Sequence, residues 1–233
     1  MHKTKTAAIF LFFLILSVSF LYPDTQKVTL TYFKGEVSVF RKQTLAYTEI
    51  NMRIYPGDSI VTADESSAEI TYEDGSVSSI LPNSILKIGQ LKREQGLFTT
   101  RLKTWVGSIL CKVTKLRKGD SFRVFTPTAV ATVRGTVFEV AVNEKQETSF
   151  NVLSGELLAK ALIKDAKAYL LKGQFKYFVG AEGIPDVRKL TEQEIKNLEE
   201  RATMYIRDYI QEKQKEIEKG IKKQMKKGCL GFL

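Results

Sequence analysis

Between Lys27 and about Gly180 the chain is a succession of short runs rich in Val, Ile, Thr, Phe and Tyr, each closed by a turn signal. Val28 to Phe33 and Glu36 to Arg41 form the first pair, joined near Lys34-Gly35. Ser59 to Thr62 follows Pro56-Gly57-Asp58, and Ala68 to Tyr72 alternates apolar and polar residues before Asp74-Gly75, a hairpin-type turn. Val77 to Leu81 and Ile85 to Ile88 flank Pro82-Asn83. Leu97 to Leu102, Trp105 to Val113, Phe122 to Thr126, Ala129 to Val133, Val137 to Val142, Thr148 to Leu153, Leu157 to Ile163, Ala168 to Leu171 and Phe175 to Val179 continue the series. No stretch holds a helical period for long. Runs of this length, about 8–12 residues apart, predict a mainly β fold rather than βαβ units. The expected architecture is an antiparallel β-sandwich, jelly-roll-like or elongated, over residues 27–180. Glycine opens three strands, in Gly35-Glu36-Val37, Gly107-Ser108-Ile109 and Gly155-Glu156-Leu157. The spacings, 72 and 48 residues, are unequal. They read as recurrent turn chemistry, not as a solenoid repeat.

Both ends differ from this body. Lys3 and Lys5 precede an unbroken apolar run, Ala7 to Leu16, and Ser17-Val18-Ser19 supplies the small residues a signal peptidase reads. Ala7 to Tyr22 is 16 residues, against about 20 for a spanning helix. Residues 1–19 are therefore read as a cleaved signal peptide, with an uncleaved anchor as the alternative. In both cases the rest is expected in the periplasm or cell envelope. At the other end, Pro185 lies near the close of the β body, and Thr191-Glu192-Gln193-Glu194 fits a capping box. Ile195, Leu198, Ala202, Tyr205, Ile206, Tyr209 and Ile210 follow at helical spacing. A long amphipathic helix is predicted within residues 190–227, with a short tail at 228–233. From Glu192 to Lys227 it would run roughly 54 Å at 1.5 Å per residue.

The chemistry in the sequence is mostly exclusion. The sole histidine, His2, lies in the leader, so the body lacks the usual general base and the commonest metal ligand. Ser59, Ser84 and Ser121 have no histidine with which to build a triad. Asp58 and Asp74 each neighbour a glycine and read as turn residues before they read as a catalytic pair. No dense Asp/Asn loop supports calcium, the glycines form no phosphate loop, and no cofactor is expected. Cys111 and Cys229 are too few and too far apart for a disulfide framework, and Cys111 reads as buried.

The net charge of +10 favours anionic partners. Candidate interaction residues are Arg134, whose fork suits a carboxylate or phosphate, and Trp105, which could stack on a sugar ring. Against these stand a structural Arg134 tied into its turn and a Trp105 buried in the core beside Val106 and Ile109, the readings preferred here. Lys219, Lys222, Lys223, Lys226 and Lys227 make the distal helix a candidate for an anionic membrane surface or wall polymer; a solvated tail is the other reading. Nucleic acid is not expected as a partner of a chain with an export signal.

Several segments in order resemble the FecR domain family. They are Gly57-Asp58-Ser59-Ile60-Val61-Thr62, Ser67-Ala68-Glu69-Ile70, Glu73-Asp74-Gly75-Ser76 and Leu81-Pro82-Asn83-Ser84, then Gly107-Ser108-Ile109-Leu110-Cys111-Lys112-Val113. The segment from Phe122 through Thr126-Pro127-Thr128-Ala129 and Arg134-Gly135-Thr136 to Phe138 looks like the family's hallmark, and Val152-Leu153-Ser154-Gly155-Glu156-Leu157 like its closing strand. The resemblance implies a β-sandwich-like envelope domain without enzyme activity. Some relatives are signal transducers with a cytoplasmic sigma-binding domain, one membrane span and a periplasmic module. Only six residues precede the apolar run here, so a sigma-binding domain is not expected. The expected role is a non-enzymatic envelope adaptor or scaffold binding an envelope protein or peptidoglycan; the alternative is a membrane-tethered envelope sensor.

Overall fold

The computed structural model describes residues 25–204. Seventeen strands and the start of one helix account for the regular structure there. The strands form two ladders. Ladder A runs in the order β4 (Arg53–Ile54), β1 (Val28–Lys34), β6 (Ser67–Tyr72), β7 (Val77–Ile80), β9 (Leu97–Lys112), β12 (Val137–Val142), β13 (Thr148–Ser154), β16 (Phe175–Val179) and β17 (Pro185–Lys189). Ladder B runs β3 (Thr44–Ala46), β2 (Val37–Arg41), β5 (Ser59–Thr62), β8 (Ser84–Glu94), β9, β10 (Ser121–Phe125), β11 (Ala129–Val133), β14 (Glu156–Ala161) and β15 (Ala168–Lys172). Apart from the first edge, both orders advance with the sequence, a stepwise winding rather than the crossing order of a jelly roll. All pairings are antiparallel except β9 with β10.

Strand β9 belongs to both ladders, so all seventeen strands are hydrogen-bonded into one sheet. Its first part, to Val106, pairs with β8 and β10; from Gly107 onward it pairs with β7 and β12. Gly107 makes the transfer. Its φ is +88°, and a Cβ there would stand 2.4 Å from the Ser84 Cα and 2.5 Å from the Asn83 carbonyl oxygen. Only glycine adopts that backbone at that distance without strain. The Ser84 hydroxyl holds the turn by accepting from the Ser108 N–H at 2.8 Å.

Gly155 repeats the device between β13 and β14, with φ +87° and a would-be Cβ 2.2 Å from the Gly135 carbonyl oxygen. Thr136 Oγ1 donates to the Glu156 carbonyl at 2.6 Å beside it. Gly35 sits at the corresponding step from β1 to β2, where Ser66 Oγ accepts from the Glu36 N–H. The three glycine-led strands noted in the sequence are thus three of the places where the chain changes ladder.

The core follows from strand alternation. One face of each ladder contributes to a single apolar cluster, including Leu30, Ile70, Ile109, Phe138 and Val140 from ladder A and Ile60, Leu86, Leu102, Val124 and Leu157 from ladder B. Tyr72 of ladder A meets Phe122 of ladder B edge to face at 5.5 Å, and Tyr169 lies 5.8 Å from Tyr177. Cys111 is fully buried in this cluster, 3.3 Å from Ser78 Oγ, which in turn lies 3.1 Å from the Tyr72 hydroxyl. Burial pushes its thiol up to about 12, so the group stays protonated and unreactive.

Four differences from the sequence reading have physical causes. The β body extends beyond residue 180, because Pro185–Lys189 pairs with β16. A strand opening on proline is tolerated there since β17 is an edge and needs no inward N–H at that position. The runs Leu97 to Leu102 and Trp105 to Val113 are one strand, because Lys103 and Thr104 continue the alternation and the bend comes instead at Gly107. Strands β3 and β4 were not expected, being three and two residues long. Trp105 is 45% exposed, not core, since strand parity places it on the outer side of ladder B.

Candidate interaction surface

With the inner faces packed together, each ladder has one outer face. On ladder A, registered partners form a row from Glu69 through Ser79, Leu110, Glu139 and Asn151 to Lys176 and Arg188. The chain covers part of this row with helix α1, helical over residues 192–204. Thr191 caps it as expected: its Oγ1 accepts from the Glu194 N–H at 3.2 Å, and Glu194 Oε2 accepts from the Thr191 N–H at 2.9 Å. Leu198 and Leu190 pack on Leu110, with Ile195, Ala202 and Leu153 around them. Glu194 also receives the Arg188 fork, both bonds at 2.8 Å, which with the Thr191 N–H holds its carboxyl well below the usual range. Arg201 donates to Glu139 Oε2 at 3.0 Å, and Asn151 Nδ2 to the same oxygen at 2.9 Å. The Glu139 side chain is only 4% exposed, so this is a paired, largely desolvated carboxylate.

The outer face of ladder B carries no such cover among the described residues. Its central row runs Phe40, Ser59, Lys87, Lys103, Phe125, Val130 and Lys160. The adjacent row runs Gln90, Arg101, Arg123, Thr132, Leu158 and Leu170. Lys103 Nζ lies 3.7 Å from the centre of the Trp105 ring. That is a cation–π pair at an exposed position, good for about 0.5–1 kcal/mol.

Two shallow grooves lie along the central row. One of about 550 Å³ is lined by Gly89, Gln90, Arg101, Leu102, Lys103 and Phe125; the other, about 500 Å³, by Phe40, Lys42, Gln43, Gly57, Ser59 and Lys87. Neither lining contains a carboxylate. At the outer margin Arg41 forks onto Asp58, with bonds of 3.0 and 2.8 Å, and stacks on Tyr55 at 4.4 Å. Asp58 is 1% exposed and also accepts from the Tyr55 N–H. It is neutralised and structural, the turn role its neighbouring glycine suggested.

Residues 58–158, from this buried aspartate to the strand after Gly155, match the family model described as FecR protein. That stretch is similar to a FecR domain. Two solved structures resemble the chain, both described as crystal structures of "a putative anti-sigma factor from Parabacteroides distasonis ATCC 8503", at 1.65 and 2.50 Å resolution. The first superposes with a TM-score of 0.50 at 17% identity, covering 59% of this chain and 62% of that one; the second gives 0.49 at 18% over the same shares. At that identity the first likeness is one of fold, and it spans less than two thirds of the solved chain's length. No curated protein matches.

Within residues 58–158 the hallmark residues divide into two kinds. Gly135, Thr136 and Gly155 close on one another, and Thr126 Oγ1 bonds the Ala129 N–H and carbonyl across Pro127-Thr128. Asp74 makes a local turn, with Oδ1 accepting from the Ser76 N–H at 2.9 Å. These residues fold that stretch. Arg134 does not share in that: its side chain is exposed and forms no hydrogen bond or ion pair among the described residues.

Arg134 also lies apart from Trp105, which belongs to the open face. Lys219, Lys222, Lys223, Lys226 and Lys227, and Cys229, lie outside the described residues. Among those described, no three His, Cys, Asp or Glu residues are grouped to hold a metal, and no helix is long and apolar enough to cross a membrane. The sequence reading missed Lys87, Arg101, Lys103 and Phe125. A signal was present in β9, where Arg101, Lys103 and Trp105 alternate with Leu102 and Thr104 and so share one face.

Proposed function

We propose that this protein is a non-enzymatic, exported sensing module of FecR type, which takes up its cue on the outer face of ladder B and relays the bound state to the helix on ladder A. The observation that carries the reading is the contrast between the two outer faces. One is occupied by the chain's own helix through buried leucines and the buried Glu139 carboxylate paired with Arg201; the other displays cations and rings with no described segment over them. Strand β9 joins the two, because its first half floors the open face and its second half supports Leu198 through Leu110.

The likeness to structures described as anti-sigma factors favours a sensor over a passive scaffold, and the FecR match supports a regulatory role without catalysis. An apolar N-terminal run with a cleavable small-residue end supports export to the periplasm or envelope. The partner on the output side is an envelope protein meeting the helix. The membrane-tethered form of the same sensor requires Ala7 to Tyr22 to be retained, and N-terminal sequencing of the exported protein decides that point.

The reading is tested by placing a photocrosslinking side chain at position 87 or 105 on ladder B, or at position 197 on the helix, in the cell envelope. The expected result is that ladder B and helix positions capture different species, and that occupancy of ladder B changes the yield at the helix. Capture of the same species at all three positions, or of none, defeats it.

A further inference from the structure

From the rows on ladder B we infer that the open face is a binding strip for a linear acidic polysaccharide, a sugar chain bearing carboxylates. The inference rests on the sensing role of this face and names the ligand class it takes. Charge comes first: Lys87, Arg101 and Lys103 occupy neighbouring register positions, and the two grooves on either side of Lys87 have no carboxylate in their walls. An anion meets attraction along the whole strip and repulsion nowhere in the grooves.

Shape is the second argument. From Phe40 on β2 to Phe125 on β10 the row crosses four strand spacings, about 19 Å at about 4.8 Å each. It runs across the strands and its grooves are shallow and open, as a polymer chain requires. Rings stand along it: Phe40 and Phe125 are half-buried, and Trp105 stands out beside Lys103. Apolar ring faces beside cations suit sugar rings beside carboxylates.

Hydrogen-bonding demand is the third. Gln90 Oε1 and Arg123 Nε are both buried and have no partner, and they flank Arg101 in one row. One needs a donor and the other an acceptor. A hydroxyl supplies both, whereas a phosphate or carboxylate only accepts. Arg101 is exposed and lies between the two in register, where a ligand carboxylate can meet it. A ligand combining hydroxyls with carboxylates therefore matches the site better than an anion alone.

The test uses the exported chain purified from the envelope, with polygalacturonate as probe, neutral dextran as control and vesicles of anionic phospholipid as the competing class. Expected are binding to polygalacturonate that weakens with salt, no binding to dextran, and a loss of at least about tenfold in K87Q/K103Q. Trp105→Ala is expected to lose about threefold. All three positions are exposed or half-exposed, and an unchanged unfolding midpoint shows that the variants fold.

No binding of the intact protein to polygalacturonate, undiminished binding by K87Q/K103Q, or preference for the vesicles each overturns the polysaccharide assignment. The crosslinker at position 87 or 105 separates this failure from that of the sensing role. If it captures an envelope protein while polygalacturonate does not bind, the face is a sensor for another ligand; if it captures nothing, both readings fall.

Discussion

Ladders A and B use the same strand chemistry on their inner sides and opposite chemistry on their outer sides. On ladder A the outward positions of the central strands are Leu110, Glu139 and Asn151, and the helix answers them with Leu198 and Arg201. On ladder B the outward positions are Lys87, Lys103 and Phe125, and no described segment lies across them. A leucine and a carboxylate side by side need a partner in the folded state, because one loses apolar burial and the other loses its counter-charge without it. Lysines at alternate positions need none, since their charged heads stay in water. The difference teaches that an outer sheet face can be assigned to structure or to binding by asking which of its side chains would be costly to leave uncovered.

That comparison can be broken at its joint. Gly107 lets one strand serve both faces, and Gly107→Val sets a side chain into the Ser84 backbone at a φ that valine avoids. A loss of about 3 kcal/mol or more is expected, seen in denaturant as unfolding of both ladders together; independent unfolding of one ladder would show that β9 does not couple them.

Next in size is the covered face. Leu198 is fully buried, and Leu198→Ala is expected to cost about 2–3 kcal/mol, with loss of helical signal in circular dichroism before the strands melt. A cost below about 0.5 kcal/mol would mean that the helix does not depend on ladder A.

The same docking should depend on acid. Glu194 has its folded value lowered, first by the Arg188 bond and then by the Thr191 N–H. A carboxyl depressed in this way contributes stability above its unfolded value of about 4.3, and the contribution is lost as pH falls below that toward the folded value. Helical signal is therefore expected to hold from neutral pH to about 4.5 and to fall below it, while a Glu194→Gln variant shows a weaker dependence over that window. An identical acid profile in the two proteins would remove this pair from the account.

The smallest effect belongs to the open face. Trp105→Ala removes the largest side chain in the protein, yet its exposure predicts a loss of no more than about 1 kcal/mol, the worth of its exposed pair with Lys103. A loss near that of Leu198→Ala, measured in the same denaturant titration, would mean that Trp105 is packed and that the two faces do not differ as described.

Much of this was legible in the residues. Enrichment in Val, Thr, Phe and Tyr between turn signals gave Ala129–Val133, Val137–Val142 and Phe175–Val179 their bounds, because such side chains fit a pleated, half-buried surface. Thr191 and Glu194 located the helix start, since the unpaired N–H groups of a first turn need local acceptors. Gly57-Asp58, Asp74-Gly75 and Gly155-Glu156 marked turns from backbone preferences alone. The site was less visible. Trp105 was singled out, but as core, and its neighbours Arg101 and Lys103 passed for ordinary surface.

By itself, then, the sequence determined the β class, the turns, the helix start and the FecR likeness, all of which rest on contacts within a few residues. Only the tertiary structure decided which ladder each strand joins, that β9 belongs to both, and which side of each ladder faces out. Period-2 alternation defines two faces for a strand but leaves open which of them meets the core and which strands lie beside it. Those choices are made by pairings between residues far apart in the chain, such as Lys103 with Phe125 and Leu110 with Glu139, and they put Lys87, Lys103 and Phe125 in one row.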